Sequence, residues 1–438
     1  MKKRLLLLSP PSPIILSTVK TARVPLWAGV LAGLTPHESW DVRFIQGARE
    51  KITEDTFEKA DLVALSTFTP SIYEAYRIGD LCRRKGVPCI MGGIHSSFFP
   101  KDALAHCDSV VVGDAEPVWE KALFDFTDGN LQHIYHGGWM QSKTMPIPDR
   151  SIFSRYRYSL ECVEFARGCP NQCEFCSVGF SCKGKFVYKD PKLLERELTS
   201  INKRFLLISA PNLLADPEKC LALIKKLKDH NFRWMALASM DIVKYPQIMD
   251  TMAETGCFAL EIGFESFSDA TLRSMRKYRN LGMDYQMVIS ELHDRGIEVM
   301  GSFIYGWDTD DKRVFAESLE NFERMGIDFP AGFLLVPYPT TNIFSRYKKE
   351  GRILTEDWSR YSGMDVVFQP KLMTRRELLE GYLWLLSEVS QFGSEAKKIF
   401  SRMRGVESFA YAVFLSYVHG KLARLVNKKI QRTLELYP

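Results

Sequence analysis

Three cysteines with the chemistry of metal ligands stand close together in the sequence. Cys169, Cys173 and Cys176 are spaced four and three positions apart, and Phe175 directly precedes the last of them. Thiolates are soft ligands that suit both iron–sulfur clusters and zinc. A structural zinc site normally has four Cys or His ligands, and Cys182 is the conceivable fourth. A 4Fe-4S cluster held by only three cysteines instead leaves one iron free to bind a further ligand.

The cysteines lie near the start of a long stretch in which strand and helix patterns alternate. From 161 to about 368, six short apolar runs alternate with amphipathic helical segments. Six such units predict a complete or partial (βα)6 barrel, whose chemistry gathers at the C-terminal ends of its strands. The three cysteines follow the first predicted strand, which is where a barrel places its site.

A second alternation of strands and helices precedes the barrel pattern, from residue 3 to about 126. Its rhythm predicts a doubly wound parallel sheet, in which ligands bind outside the carboxyl ends of the strands. Small and polar residues stand at those ends, and glycine there lets a backbone approach a large ligand closely. A tight turn explains the Gly92-Gly93 pair equally well. The candidate binding residues are Ser66, Thr67, Gly92, Gly93 and Gly113.

Proline and weak periodicity mark a linker at 137–150, and strand patterns disappear after Lys371. We therefore expect three domains: the doubly wound sheet at 1–145, the barrel at 146–370 and a helical cap at 371–438. Basic residues lie between Lys421 and Arg432 in the last domain. A packed cap is the default interpretation of that segment, and a helix resting on a lipid surface is the alternative.

The composition indicates an ordinary folded protein. The chain has 438 residues, of which 46% are hydrophobic and 25% charged, which excludes intrinsic disorder, collagen and coiled coil as whole-chain descriptions. A net charge of +5 is too slight to indicate a nucleic-acid partner. The N-terminal run of four leucines is followed by prolines, so we expect a strand there and not a signal peptide. With no apolar run long enough to span a bilayer, the sequence predicts a soluble, cytoplasmic protein.

The CxxxCxxC spacing, with an aromatic residue before the last cysteine, resembles the radical S-adenosylmethionine (SAM) superfamily. The resemblance implies that Cys169, Cys173 and Cys176 hold a 4Fe-4S cluster and that SAM binds its open iron. It further implies that one electron, from a donor such as flavodoxin or ferredoxin, cleaves SAM to a radical that abstracts hydrogen from an unreactive carbon.

Other barrel residues resemble positions that contact SAM in this superfamily. They are Phe175, Asn212, Ser239 in the run WMALASMD, and Glu265 in the run GFES. Ser239 can also be read as a simple strand-end residue, and Glu265 as the partner of a barrel arginine. Many relatives carry two acidic residues before the asparagine, whereas this chain has Ser209-Ala210-Pro211-Asn212. Asp216 or Glu218 are the candidates for the missing acidic contact.

A flavodoxin-like domain followed by a radical SAM barrel resembles the cobalamin-binding radical SAM family, and the runs GGIHSSFF and VVVGDAEPVWE are similar to its members. The resemblance covers nearly the whole chain and implies cobalamin as a third cofactor. The Asp-x-His-x-x-Gly signature, whose histidine binds cobalt in many cobalamin proteins, does not occur. We expect His95 to be a hydrogen-bonding residue and not a cobalt ligand.

The resemblance implies methylation of an unactivated carbon in a small-molecule or lipid-like substrate, without nucleic acid and with peripheral membrane contact as an open option. A radical cyclase, rearrangement or oxidation enzyme with the same domains is the first alternative. A non-catalytic iron–sulfur sensor is the second.

Overall fold

The computed structural model describes residues 2–11 and 23–392, which fall into two compact units. Unit 1 comprises the described residues of 1–168, 181–209 and 357–362, and unit 2 those of 169–180, 210–356 and 363–438. The units are defined by contacts between residues and not by position along the chain. The domain boundaries at 145 and 370 stay predictions.

The main sheet of unit 1 has six parallel strands in the order β2-β1-β3-β4-β5-β6. An order that begins 2-1-3 is typical of the flavodoxin-like, doubly wound fold. The strands are β1 (Lys3–Ser9), β2 (Trp40–Gln46), β3 (Leu62–Thr67), β4 (Cys89–Gly93), β5 (Ser109–Gly113) and β6 (Ile134–Gly138), and the helices are α1 (Leu26–Leu34), α2 (Ile72–Arg84), α3 (Ile94–Phe98), α4 (Pro100–Leu104) and α5 (Glu116–Thr127).

Burial explains why these segments form their elements. Residues 5–8 of β1 are all buried leucines, as expected for a parallel strand covered on both faces. Helix α2 buries Ile72 and Ile78 in the same core cluster as Val63 and Met91 of the sheet, and its opposite face is polar. The apolar strands of the sheet and the apolar face of α2 therefore pack into one hydrophobic core.

The rest of unit 1 contains two smaller strand pairs. One pair is parallel and joins β7 (Glu161–Glu164) to β10 (Phe205–Ser209), and the other is antiparallel and joins β8 (Ala166–Gly168) to β9 (Phe186–Tyr188). Helix α7 (Pro191–Thr199) precedes β10 in the chain; helix α6 (Ser177–Ser181) belongs to unit 2 except for its last residue.

Buried ion pairs hold the segment that we predicted to be a linker. Arg150 donates hydrogen bonds of 3.1 Å to Glu161 and 2.6 Å to Glu197. Lys189 is 2% exposed, pairs with Glu197, and donates to the carbonyl of Pro146 at 3.2 Å. The end of this segment is therefore held within unit 1 by charge pairing and hydrogen bonds.

Unit 2 contains a parallel sheet with the strand order β14-β13-β12-β11. One face of this sheet is covered by helices; on β13, Phe303 is buried and its ring lies 4.8 Å from that of Phe322. The strands are β11 (Arg233–Ala238), β12 (Cys257–Glu265), β13 (Glu298–Tyr305) and β14 (Phe329–Leu334), and the helices are α8 (Pro217–Lys225), α9 (Pro246–Glu254), α10 (Asp269–Ser274), α11 (Tyr285–His293), α12 (Val314–Met325), α13 (Asn342–Lys349) and α14 (Arg375–Phe392).

The structure contains a strand at each of the six predicted barrel positions, namely β7 and β10 to β14. The sequence-based prediction missed β6, because Ile134–Gly138 is short and ends in two glycines. Helix α14 begins the predicted helical segment, whereas Lys421 to Arg432 lie outside the described residues. None of the described helices is long and apolar enough to span a membrane.

Candidate functional site

The loop that carries the three cysteines is anchored by main-chain hydrogen bonds within unit 2. The Glu174 N–H donates to the carbonyl of Met275 at 3.0 Å, and the Glu174 carbonyl accepts from the Ile343 N–H at 3.5 Å. The Glu174 carboxylate also pairs with Arg276 at 2.7 Å. The first turn of α13 and the segment after α10 therefore fix the loop from two sides.

The three thiols of this loop influence one another electrostatically. Burial raises the pKa of the Cys173 thiol to about 11, Lys277 opposes this rise, and Cys176 and Cys169 add to it. Cys169 and Cys173 are buried, Cys176 is partly exposed, and none of the three is in a disulfide. Cys173 is therefore within electrostatic range of the other two thiols and of Lys277. Cysteine thiolates are the ligands that 4Fe-4S clusters use.

Within residues 2–11 and 23–392, no three His, Cys, Asp or Glu side chains already form a metal-ligand group. The assignment of Cys169, Cys173 and Cys176 as cluster ligands therefore stays a prediction. Cys162 and Cys182 are buried elsewhere, in unit 1, and burial raises the pKa of Cys162 to about 12.

Phe175 packs within this loop region and not in isolation. Its ring meets that of Trp307 edge-to-face, with 6.1 Å between the ring centroids. Trp307 is fully buried and follows β13. Phe175 therefore connects the cysteine loop to the C-terminal end of a barrel strand, and its contact with SAM stays a prediction.

Glu265 ends β12 in a strained backbone conformation. Its φ is 67°, in the left-handed region that side chains other than glycine rarely adopt. The carboxylate accepts a hydrogen bond of 2.6 Å from Lys277. A Cβ on Gly263 would lie 2.5 Å from Glu265 Oε1 and 3.0 Å from Lys277 Nζ. Glycine is therefore required at 263 for the pair to form.

Lys277 is a buried cation between Glu265 and the cysteine loop. Burial lowers the pKa of Lys277, but Glu265 and Cys173 outweigh that effect and raise the pKa above its ordinary value. The expected structural alternative for Glu265 was pairing with an arginine, and the partner observed is this lysine.

Ser239 and Asn212 differ in how their polar groups are satisfied. The Ser239 hydroxyl donates to Asp241, which also accepts a hydrogen bond of 2.7 Å from Arg279. Asn212 is buried and its Oδ1 accepts from the Leu214 N–H at 3.2 Å, whereas its Nδ2 is buried without a partner. A buried amide donor without a partner is costly and suits a ligand acceptor such as SAM offers.

The two candidates for the missing acidic contact lie at the start of α8. Asp216 caps this helix by accepting from the Lys219 N–H at 3.1 Å, and its carboxylate pairs with the Lys219 side chain at 2.9 Å. Glu218 is exposed in the first turn of the same helix. Capping explains Asp216 without a ligand, and an acidic contact to SAM stays a prediction for either residue.

Unit 1 holds a cavity of about 360 Å³ at the carboxyl ends of its sheet strands. Its polar lining includes a charged group that the sequence-based analysis did not single out: Arg167 with Asp114, Glu116 and Glu164. Of the predicted cobalamin contacts, Ser66, Gly92, Gly93 and Gly113 line the cavity.

Thr67 is the one predicted cobalamin contact that does not line this cavity. Its hydroxyl donates to the Gly92 carbonyl at 2.9 Å and lies 2.8 Å from the Ser96 hydroxyl. The Thr67 hydroxyl is therefore used within the protein, between β4 and α3. Gly93 has a φ of 97°, and a Cβ there would lie 2.5 Å from the Thr67 carbonyl oxygen. The backbone at this edge is thus closely packed, which requires glycine at 93. The cobalamin contacts of the lining residues stay predictions.

His95 lies outside the cavity lining. It is 1% exposed, its Nδ1 lies 3.2 Å from the Thr69 hydroxyl, and its ring packs against Phe99 and Trp358. Burial lowers the pKa of His95 to about 4. The structure therefore places His95 in a packed, hydrogen-bonded environment.

Two family models match the chain. The radical SAM superfamily matches residues 163–322, which include the three cysteines, and the B12 binding domain matches residues 13–123, which include the cavity glycines. The chain therefore carries both domains of the radical SAM family with an N-terminal cobalamin-binding domain, and the assignment made from the sequence is confirmed.

Curated relatives cover most of the chain. It is 28% identical to the bacteriochlorophyllide d C-12(1)-methyltransferase of Chlorobaculum tepidum, over 88% of this chain and 86% of that protein. It is 26% identical to the hopanoid C-2 methylase of Rhodopseudomonas palustris, over 77% of this chain and 66% of that protein. It is 21% identical to the anaerobic magnesium-protoporphyrin IX monomethyl ester cyclase of Rubrivivax gelatinosus, over 81% of this chain and 72% of that protein.

Two solved structures share the fold. OxsB, a cobalamin-dependent SAM radical enzyme, superposes with a TM-score of 0.68 at 14% identity and covers 97% of this chain and 72% of its own. The radical SAM methyltransferase TsrM from Kitasatospora setae superposes with a TM-score of 0.64 at 12% identity. The superposition covers 80% of this chain and 78% of TsrM. The predicted fold class is confirmed. The two domains also confirm a radical SAM enzyme whose cofactors are a 4Fe-4S cluster, SAM and cobalamin.

Proposed function

We propose that this protein methylates an unactivated carbon of an apolar small molecule, with a tetrapyrrole of the bacteriochlorophyllide type as the first candidate. The names of two relatives support this proposal, since one methylates bacteriochlorophyllide d and the other is a hopanoid methylase. The structural observation that carries it is an apolar face on the sheet of unit 2.

This open sheet face lies opposite the face that the helices cover. Two large apolar side chains on this face are exposed: Leu237 of β11 is 39% exposed and Phe333 of β14 is 46% exposed. The register of β11 to β14 arranges the face in layers toward the C-terminal ends of the strands: Leu237, Glu261 and Met300, then Gly263, Ser302 and Ala331, then Ile304 and Phe333.

The layers favour a flat, apolar ligand. The middle layer contributes only small side chains, between the layer of Leu237 and Met300 and the apolar pair Ile304 and Phe333. The one carboxylate of the first layer, Glu261, accepts a hydrogen bond of 2.7 Å from the Ser302 hydroxyl. Covering Leu237 and Phe333 with an apolar ligand would remove their surface from water, at about 25 cal/mol per Å². Gly263 stands two residues before Glu265, so this face leads to the predicted SAM contacts.

Residues of both units provide the groups that would hold the cofactors. Cys169, Cys173 and Cys176 would hold the cluster, the Asn212 amide and Glu265 would contact SAM, and the cavity of unit 1 would hold cobalamin. When bound, the cluster with SAM supplies a radical that can remove a hydrogen atom, and cobalamin supplies a methyl group. The chain itself positions these groups and excludes water from them.

The proposed partners follow from this chemistry. A small flavodoxin or ferredoxin would supply the electron, and the ten free cysteines support a reducing, cytoplasmic location. Contact with a lipid surface is proposed only for the basic residues from Lys421 to Arg432. Flotation with anionic vesicles tests it: no flotation of wild type, or no loss when Lys421, Arg424, Lys428 and Arg432 become glutamine, would contradict it.

A cyclase is the second candidate function, because the chain is similar to a magnesium-protoporphyrin ester cyclase over most of its length. That relative is named for a tetrapyrrole substrate too, so the open sheet face suits both candidates. The two differ in whether the product gains a carbon atom.

The substrate class is tested with anaerobically reconstituted full-length protein, SAM and a reductant. We expect bacteriochlorophyllide d to yield a product heavier by one methylene group, whereas an altered product with no added carbon atom would favour the cyclase. Phe333→Asp should raise KM for the accepted substrate by about tenfold or more, since it puts a charge on the apolar face. The matched control Phe124→Asp, at an exposed site of unit 1, should leave KM unchanged. A Phe333→Asp variant with wild-type KM would contradict the proposed substrate face.

A further inference from the structure

One wall of the cavity in unit 1 carries three carboxylates that share a single guanidinium group. Arg167 donates to both oxygens of Glu164 at 2.8 and 2.9 Å and to Glu116 Oε1 at 2.7 Å, and lies 3.3 Å from Asp114 Oδ1. All four residues line the cavity, and Arg167 is the only basic residue among its described lining residues. Three carboxylates against one guanidinium leave a formal excess of two negative charges on this acidic wall.

The acidic wall has acceptor capacity that the protein does not use. Both oxygens of Glu164 are bonded to Arg167, and Asp114 Oδ2 accepts from the Met140 N–H at 2.9 Å. The Glu116 side chain is only 10% exposed, and its Oε2 has no hydrogen-bond partner in the described part of the chain. Glu116 lines the cavity, so this oxygen is available to accept a hydrogen bond from a ligand that brings an N–H group.

We propose that the acidic wall selects corrinoids whose peripheral side chains are amides over those whose side chains are carboxylates, and that Glu116 is the specificity-determining residue. The inference rests on the proposed binding of cobalamin in this cavity. A peripheral amide can donate its N–H to Glu116 Oε2, whereas a carboxylate brings a like charge to a part-buried site that holds no spare cation. The same repulsion would keep acidic tetrapyrroles, including a carboxylate-bearing substrate, out of the cofactor cavity.

The opposing explanation is that the four charges only fix β8 and the start of α5 in place. In that case Glu116→Gln would weaken the binding of every corrinoid equally or of none. Selection predicts a different pattern, because only ligands that carry carboxylates gain from the removal of the charge.

The test measures the affinity of the full-length protein for two probes, cobinamide and cobyrinic acid, by absorption and tryptophan fluorescence. We expect wild type to bind cobinamide, whose side chains are amides, about tenfold or more tightly than the all-carboxylate cobyrinic acid. Glu116→Gln should bind cobyrinic acid more tightly. The ratio of the dissociation constants of cobyrinic acid and cobinamide should therefore fall by about tenfold. Glu120→Gln removes the same charge from an exposed site on the same helix and should leave the ratio unchanged.

A second measurement does not depend on the folding of a variant. Wild-type affinity for partly amidated cobyrinic acids should rise with each added amide. Equal affinity for the whole series, or an unchanged ratio in folded Glu116→Gln, would overturn the inference while leaving cobalamin binding intact. A wild-type protein that binds neither probe nor cobalamin would overturn the proposed cofactor cavity itself.

Discussion

The carboxylate of Glu265 and the ammonium group of Lys277 form an ion pair of 2.6 Å, although their side chains are only 9% and 16% exposed. The pair holds Glu265 in a conformation that is costly for a residue with a Cβ. Because Lys277 also lies within the electrostatic reach of Cys173, this pair links the predicted SAM contact to the cysteine loop. A contact between distant parts of the chain thus organises the centre of unit 2.

Lys277→Met should lower the free energy of unfolding by about 3 kcal/mol, since it leaves Glu265 buried without its counter-charge. Lys277→Arg keeps the positive charge and should therefore lower the free energy of unfolding by less than Lys277→Met does. Urea denaturation of both variants measures the difference. Lys277→Met/Glu265→Gln should recover part of the loss, and a Lys277→Met variant as stable as wild type would show that the pair contributes nothing.

Changing Cys169, Cys173 or Cys176 singly to serine should abolish the oxygen-sensitive visible absorption and the bound iron of reconstituted protein, because the thiolates are the ligands. Cys162→Ser and Cys182→Ser are the matched controls and should keep both. The ligand assignment fails if a triple variant of the three loop cysteines retains the cluster spectrum and still forms 5′-deoxyadenosine.

Burial of His95 should make unit 1 less stable in mild acid. The pKa of His95 is lowered to about 4 in the fold, so the unfolded chain binds the proton more readily between about pH 6.5 and pH 4. The free energy of unfolding is at its full value above about pH 6.5. It falls by about 3 kcal/mol as the pH is lowered to about 4. Urea unfolding at pH 7 and pH 5 measures this loss. In His95→Asn the free energy of unfolding should depend less on pH. A variant whose stability falls as steeply with pH as that of wild type would contradict this prediction.

Much of the fold could be predicted from the sequence because buried parallel strands read as apolar runs. Residues 5–8 and β10 are examples, with Leu5 to Leu8 and Leu206 to Ile208 all buried. The strand β6 escaped prediction because Ile134–Gly138 mixes histidine and glycine with two apolar residues. A strand that depends on its neighbours for stability has little local signature.

The site was less predictable, for a geometric reason. Ser66 and Thr67 are adjacent in the sequence, yet only Ser66 lines the cavity, whereas the Thr67 hydroxyl contacts the Gly92 carbonyl and the Ser96 hydroxyl. Glu116 and Arg167 meet across 51 positions of sequence, and no local pattern announces such a pair. The RGC run around Arg167 and the acidic GDAE run were the available signals.

The measurement that tests the central claim most directly is the stoichiometry of products from SAM. Full-length protein, reconstituted anaerobically with cluster and cobalamin and supplied with its substrate, should form S-adenosylhomocysteine and 5′-deoxyadenosine in equal amounts with each methylated product. Formation of 5′-deoxyadenosine without S-adenosylhomocysteine would contradict methyl transfer, and the absence of both would contradict a radical SAM enzyme.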